Sequence, residues 1–187
     1  MGIKYIKKMD SEIQENLEKF LTCGRFDAIE ASVLKSGFSK RMLYPTEDFH
    51  LNEAQFRVIK SLLAPGEDLL ILQMGFEEGL FSLRNNLYVC DCDLSYAAYD
   101  EIWIDTISVV APSSWAWIVL VDEALEGGLG IFISDPELIN RFDRLYGNTV
   151  SDMVSFVASF IRRMDAPSYP IKYMMEVLTL CKDPDKE

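Results

Sequence analysis

The chain has 187 residues, of which 49 % are hydrophobic and 26 % charged. It can therefore bury a full hydrophobic core, and it is neither a disordered chain nor a coiled coil. Its formal net charge is −12, from 30 acidic and 18 basic residues, which argues against binding to nucleic acid or to an anionic membrane, because both need a basic surface. The length and the lack of any linker or repeat predict a single α+β domain over residues 1–187.

The cysteine content and the N-terminal segment indicate a cytoplasmic protein. Four cysteines in the whole chain are too few for a disulfide scaffold. The first ten residues include lysines but no apolar run behind them, unlike a secretory signal. No stretch reaches the 18 or so apolar residues of a membrane span, so we expect no contact with a membrane.

The first part of the chain is predicted to be mainly helical. A capping-box pattern begins a helix over residues 11–24, and a second helix is expected over 27–37. Residues 38–51 predict a loop or a short strand. Asn52 is the expected cap of a third helix over 53–64, which a Pro-Gly pair ends.

The middle of the chain is predicted to form strands. Asn85 and Asn86 tolerate positive φ and predict a tight hairpin turn between two short strands. The strand at 115–121 is apolar on both faces, so we expect it to be central and covered on both sides, with Trp115 and Trp117 on one face. The expected strands are residues 69–74, 80–84, 87–90, 102–110, 115–121 and 130–134.

The last part of the chain again predicts helices. The sequence Asp-Pro-Glu at 135–137 combines a cap, an N1 proline and a first-turn acid, and Gly147 ends that helix. Further helices are expected from Thr149 or Ser151 and over 173–181. This order of elements predicts an α+β fold with a central, mostly antiparallel sheet and with N-terminal and C-terminal helices packed on it.

No catalytic, cofactor or metal site is expected. The single histidine, His50, excludes multi-histidine metal centres and is expected to be a surface histidine or one adjacent to the cap Asn52. The glycines at 127–130 lack the spacing of a phosphate-binding loop. The Cys-Asp-Cys-Asp sequence at 90–93 has neither the second cysteine pair of a zinc site nor the glycine and glutamate of a calcium loop.

The acidic residues are concentrated in one part of the chain. Residues 65–139 contain 14 acidic residues and a single basic one, Arg84. Aromatic residues such as Tyr96 and Trp103 lie among them, and aromatics surrounded by charge are typical of protein interfaces. The alternatives are core packing for the tryptophans and a solvated face for the acids. The candidate partner-binding residues are Glu77, Glu78, Asp91, Asp93, Asp100, Glu101, Asp105, Asp122, Glu123 and Glu126.

The segments Trp117–Glu123 and Gly130–Ile139 predict a hairpin that leads into a helix. With the small size, the acidity and the lack of catalytic motifs, this chain resembles bacterial immunity proteins of contact-dependent or polymorphic toxin systems. The resemblance implies that the protein binds a cognate toxin and blocks its active site or an adjacent surface. It assigns no functional residue.

The resulting hypothesis is an acidic, non-enzymatic protein that neutralises a basic protein partner, most simply a toxin nuclease domain. Complementary charge speeds the association of such pairs. Neither a cofactor nor direct contact with nucleic acid is expected. Two alternatives stay open: a metal-dependent enzyme that uses clustered carboxylates, and an adaptor subunit that assembles with itself into a homo-oligomer.

Overall fold

The computed structural model describes residues 3–6, 11–21, 34–44, 46–77, 80–104, 107–122 and 128–147, and the single residues 158 and 179. In this part of the chain, seven strands form one sheet and four helices accompany it. The elements in chain order are β1 (Ile3–Ile6), α1 (Ser11–Phe20), β2 (Ser39–Leu43), α2 (Glu53–Ser61), β3 (Leu69–Glu77), β4 (Leu80–Cys90), α3 (Tyr96–Asp100), β5 (Ser108–Pro112), β6 (Trp117–Asp122), β7 (Leu129–Ser134) and α4 (Pro136–Tyr146).

The sheet confirms the predicted fold class. Its strand order is β1-β4-β3-β5-β6-β7-β2, and all neighbouring strands are antiparallel. We call the end at which β5 begins and β6 ends the upper end of the sheet; it holds Ser108 and Asp122. The opposite, lower end holds Leu69 and Cys90, which pair where β3 begins and β4 ends.

Apolar side chains cover the sheet on both faces. All six residues of β6 are buried, as predicted for a central strand. Ile118 and Leu120 pack in one cluster with Leu17 of α1. Trp117 and Val119 pack in the other cluster, with side chains of α2, α3 and α4. Each such side chain stabilises the fold by roughly 1.5–3 kcal/mol when fully buried.

The predicted ends of two helices are confirmed. Asn52 accepts a hydrogen bond from the backbone N–H of Gln55 at 3.0 Å, and the Gln55 side chain accepts one from the N–H of Asn52 at 3.0 Å. Asp135 caps α4 by accepting from the N–H of Leu138 at 2.9 Å. Gly147 ends α4 in the left-handed conformation, with φ of 69°, where glycine carries no Cβ penalty.

The hairpin turn predicted at Asn85 and Asn86 is wrong. Strand β4 runs unbroken through both residues. Leu72 pairs with Leu87 and Met74 pairs with Leu83, so residues 84–86 stand opposite Gln73 alone. The asparagines therefore mark a bulge, which also needs irregular backbone, and the chain reverses before them, between the end of β3 and the start of β4.

The strand predicted over 102–110 begins only at Ser108, and the short helix α3 was not predicted. Ser95 caps α3 by accepting from the N–H of Ala98 at 3.2 Å. A helix of five residues spans little more than one turn, so it leaves no apolar repeat to detect in the sequence.

Trp115 lies on the opposite face from the one predicted. It packs in the α1-side cluster, whereas Trp117 packs on the other side. The reason is the backbone of Trp115, whose φ of 56° belongs to the turn before β6. The alternation of side chains along a strand holds only within extended backbone.

Several predicted helices lie outside the described residues. These are residues 27–33 of the helix over 27–37 and, apart from the single helical residues Ala158 and Thr179, the helices expected from Thr149 or Ser151 and over 173–181. Residues 34–37, where the first of these helices was expected to end, are described and are not helical. In the ranges that the structure does describe, no helix combines the length and the apolar character needed to cross a membrane.

Candidate protein-binding site

Trp103 is the most exposed large hydrophobic side chain among the described residues. It is 74 % exposed, whereas Trp115 and Trp117 are buried. Its neighbours Ile102 and Ile104 are also buried, so the chain is anchored on both sides of the exposed ring. Core packing, the alternative considered for the tryptophans, therefore applies to two of the three.

Two side chains from other parts of the fold hold the backbone that presents Trp103. Nε2 of His50 lies 2.8 Å from the carbonyl oxygen of Ile102. A carbonyl only accepts, so this nitrogen carries the proton. The next carbonyl, that of Trp103, accepts from Nε2 of the buried Gln73. The tryptophan ring is thus exposed on a segment whose backbone has fixed partners.

Trp103 lines an acidic cleft of about 540 Å³ at the upper end of the sheet. None of the described residues that line it is a lysine or an arginine. In a concave surface, the negative potentials of exposed carboxylates add together when no cation lies beside them. We define the acidic cleft by Glu47, Asp48, Phe49, His50, Asp100, Glu101, Ile102, Trp103 and Ile104.

A tight turn after β2 forms one wall of the acidic cleft. The backbones of Glu47 and His50 bond to each other in both directions at 2.8 Å, and Asp48 between them has φ of 51°. Gly128 lies against this turn. A Cβ at Gly128 would collide with Oγ1 of Thr46 and would come within 2.6 Å of the carbonyl oxygen of Asp48. Glycine is therefore required where β7 approaches the wall.

Helix α3 and the residues that follow it form the other wall. Tyr96 donates its hydroxyl hydrogen to Oε2 of Glu47 at 2.6 Å. Tyr99 accepts from the backbone N–H of Leu51 at 2.9 Å. The Ser108 hydroxyl donates to the carbonyl of Phe49 at 2.8 Å. These three bonds join the turn to segments far along the chain and place Glu47 and Asp48 beside Asp100 and Glu101.

The two tyrosines stay protonated at neutral pH. Burial raises the pKa of Tyr99 above its ordinary value. Burial and then the hydrogen bond to Glu47 raise the pKa of Tyr96. Because Tyr96 keeps its proton, it can donate to the Glu47 carboxylate and hold that group in place.

The structure brings only some of the ten predicted acids together. Asp100 and Glu101 are exposed and line the acidic cleft. Asp91 and Asp93 are exposed just beyond the end of β4, at the lower end of the sheet. Asp122 lies at the upper end but is only 6 % exposed, so we leave it out of the proposed surface.

The other five predicted acids have no described side chain. Glu77 is the last residue of β3, and only its backbone is described. The remaining four, Glu78, Asp105, Glu123 and Glu126, lie outside the described residues.

Sequence reasoning missed Glu47 and Asp48. They belong to the first part of the chain, where acids and bases nearly balance, and no motif links them to residues 100–101. Their position depends on the pairing of β2 with β7 and on the Tyr96 bond. Both are contacts between distant parts of the chain.

Within the described ranges, no cluster of three or more His, Cys, Asp or Glu side chains could hold a metal ion. At the lower end, Cys90 is buried, and burial raises the pKa of its thiol to about 12. Cys90 is therefore a thiol at neutral pH. The thiolate is the form that binds metals and acts as a nucleophile.

Comparison with protein-family models, with curated proteins and with solved structures finds no match to this chain.

Proposed function

We propose that this protein binds a basic protein partner through the acidic cleft and acts as an immunity protein that inhibits a toxin nuclease. One observation carries the proposal: Trp103 is exposed on a backbone with fixed partners, in a cleft lined by four carboxylates. Tryptophan is among the residues that contribute most to binding at protein interfaces. The choice of a toxin as partner rests on the resemblance to immunity proteins.

The tryptophan supplies the expected affinity. Burying an indole removes a large apolar area from water, and truncating such a residue at the centre of an interface typically costs about 2 kcal/mol or more of binding free energy. The bonds from His50 and Gln73 to the adjacent carbonyls reduce the ordering needed on binding. Preorganisation of this kind raises affinity.

The carboxylates supply the expected rate and selectivity. A negative cleft attracts a positively charged partner before contact and speeds association, most strongly at low ionic strength. Nucleases are suitable partners because surfaces that bind phosphate are themselves basic. The same charges repel nucleic acid, so the partner rather than its substrate would occupy the cleft.

Two pairs of charge reversals with the same change in net charge test the proposal. The cleft pair is Asp100→Lys with Glu101→Lys, and the control pair is Asp91→Lys with Asp93→Lys at the lower end of the sheet. The partner is captured from cells that naturally produce the chain, then identified and purified. At an ionic strength of about 0.02 M, we expect the cleft pair to slow association about tenfold or more, and the control pair to stay near the wild-type rate.

Two results would overturn the proposal in different ways. Equal effects of the two pairs would mean that only net charge matters and that the acidic cleft is not the binding site. A partner whose nuclease activity is unchanged by an equimolar amount of the wild-type protein would remove the immunity role but leave the binding site in place.

A further inference from the structure

We infer that the acidic cleft selects arginine over lysine, and that an arginine side chain of the partner lies against the indole of Trp103 while its guanidinium bonds to the cleft carboxylates. This inference rests on the proposed function and names the chemistry of the group that the cleft receives.

The exposed indole favours a planar cation. Trp103 is exposed beside backbone held by His50 and Gln73. A cation over an indole face is attracted by the ring electrons, and arginine occurs in such pairs more often than lysine. The guanidinium can also stack flat on the ring, which a compact ammonium cannot do.

The number of acceptors also favours arginine. Asp100 and Glu101 offer carboxylate oxygens from adjacent residues, and Glu47 is held by the Tyr96 hydroxyl. A guanidinium has five N–H donors in a rigid fork and can bond to more than one carboxylate. An ammonium is more strongly hydrated and loses more on leaving water.

The floor of the cleft suits the stem of the side chain. Ile102 and Ile104 line it and are buried, and Phe49 is partly buried. Arginine packs its methylene groups on apolar surface and keeps its charged head near polar groups. A purely apolar occupant would instead remove the carboxylates from water without a partner, which is unfavourable.

Matched peptides and isothermal titration calorimetry test the inference on the full chain. The probe is acetyl-Gly-Arg-Gly-Arg-Gly-amide, with lysine and citrulline peptides of the same pattern as controls. We expect the arginine peptide to bind about fivefold or more tightly than the lysine peptide. The citrulline peptide, which has nearly the same shape but no charge, should bind more weakly than either.

Substitutions then assign the selectivity to named groups. Trp103→Leu should lower the ratio of arginine to lysine affinity, because the ring is lost, but should not abolish it, because the carboxylates still favour the guanidinium. Asp100→Asn with Glu101→Gln should weaken both charged peptides. Asp91→Asn with Asp93→Asn should change neither.

The outcomes separate this inference from the proposed function. Equal binding of the arginine and lysine peptides, weakened by the cleft substitutions, overturns arginine selectivity and leaves a basic partner in place. An arginine-to-lysine ratio that is undiminished in Trp103→Leu overturns the role of the ring. If no peptide binds, the inference fails, and the association experiment with the captured partner decides the proposed function independently.

Discussion

Two acidic pairs lie close together along this chain and share their charge and their exposure, but they differ in what surrounds them. Asp91 and Asp93 are exposed after β4, at the lower end of the sheet. Asp100 and Glu101 are exposed at the end of α3 and line the acidic cleft with Trp103. The contrast shows that the charge of a segment does not define a binding surface. The fold does so when it places carboxylates beside an exposed aromatic side chain.

The tryptophans also differ in their surroundings, because one is buried and another is exposed. Trp117 is buried in β6, with its ring centroid 5.8 Å from that of Phe132. Trp103 is exposed outside the strands, although it lies between two buried isoleucines. One tryptophan stabilises the fold, and the other is available to a partner.

The largest expected effect separates the two tryptophans. Trp117→Ala should lower the free energy of unfolding by about 3–5 kcal/mol, because it leaves a cavity between the sheet and the helices. Trp103→Ala should change it by less than about 0.5 kcal/mol, as surface substitutions usually do. Urea denaturation followed by far-UV circular dichroism measures both. Similar losses for the two variants would mean that Trp103 is part of the core.

Tyr99→Phe should lower the free energy of unfolding by about 1–3 kcal/mol at pH 8, because the buried N–H of Leu51 loses its acceptor.

The free energy of unfolding of Tyr99→Phe should also fall less at alkaline pH than that of the wild type. The pKa of Tyr99 is raised in the folded state, so the stabilising protonated form is fully present below about pH 10. Wild-type stability is lost as pH rises above that value. An equally steep alkaline loss in the variant, measured by urea denaturation from pH 8 to pH 11, would contradict this role for Tyr99.

Gln73→Leu should lower the free energy of unfolding by about 1 kcal/mol or more, since the hydrogen bond to the Trp103 carbonyl is lost. The more informative effect is at the cleft, where the carbonyl of Trp103 loses its partner. We expect lower fluorescence anisotropy from Trp103 and weaker partner binding. Ser61→Ala, on the exposed part of α2, is the control. Unchanged anisotropy would show that Gln73 does not hold this segment.

The smallest effect concerns the two acidic pairs. Asp100→Asn with Glu101→Gln should raise the free energy of unfolding by about 0.5 kcal/mol, because negative charge is unfavourable at the C-terminal end of a helix. Asp91→Asn with Asp93→Asn has no such cause and should give a smaller gain. A loss of stability in the cleft pair would mean that these carboxylates support the fold instead of a binding surface.

Most of the fold could be predicted because its signals are local. The capping box at Asn52 and the Asp-Pro-Glu start of α4 are decided by neighbouring residues, and both are confirmed. The apolar run of β6 indicates burial on both faces, which is also confirmed. The errors occur where local signals are ambiguous: Asn85 and Asn86 suit a turn or a bulge, and Trp115 changes face through positive φ.

The candidate site could be predicted only in part because it is assembled from distant segments. Asp100, Glu101 and Trp103 come from the acidic part of the chain, and composition draws attention to them. Composition does not draw attention to Glu47 and Asp48, because they reach the cleft through strand pairing and the Tyr96 bond. Composition also cannot separate Asp91 from Asp100, because only the path of the chain places them at opposite ends of the sheet.

The most direct test of the acidic cleft is ionic quenching of tryptophan fluorescence. Trp103 is the exposed tryptophan and the other two are buried, so ionic quenchers report on its surroundings, and Trp103→Phe provides the background. Quenching by neutral acrylamide measures how accessible each indole is, so it corrects for the difference in exposure between Trp103 and the free compound. A negative potential concentrates cations and repels anions, so caesium should quench Trp103 more, and iodide less, than each quenches free N-acetyltryptophanamide. Asp100→Asn with Glu101→Gln should reduce this difference, whereas Asp91→Asn with Asp93→Asn should not. Quenching by iodide as efficient as in the free compound, or an equal response to the two pairs, would contradict the account.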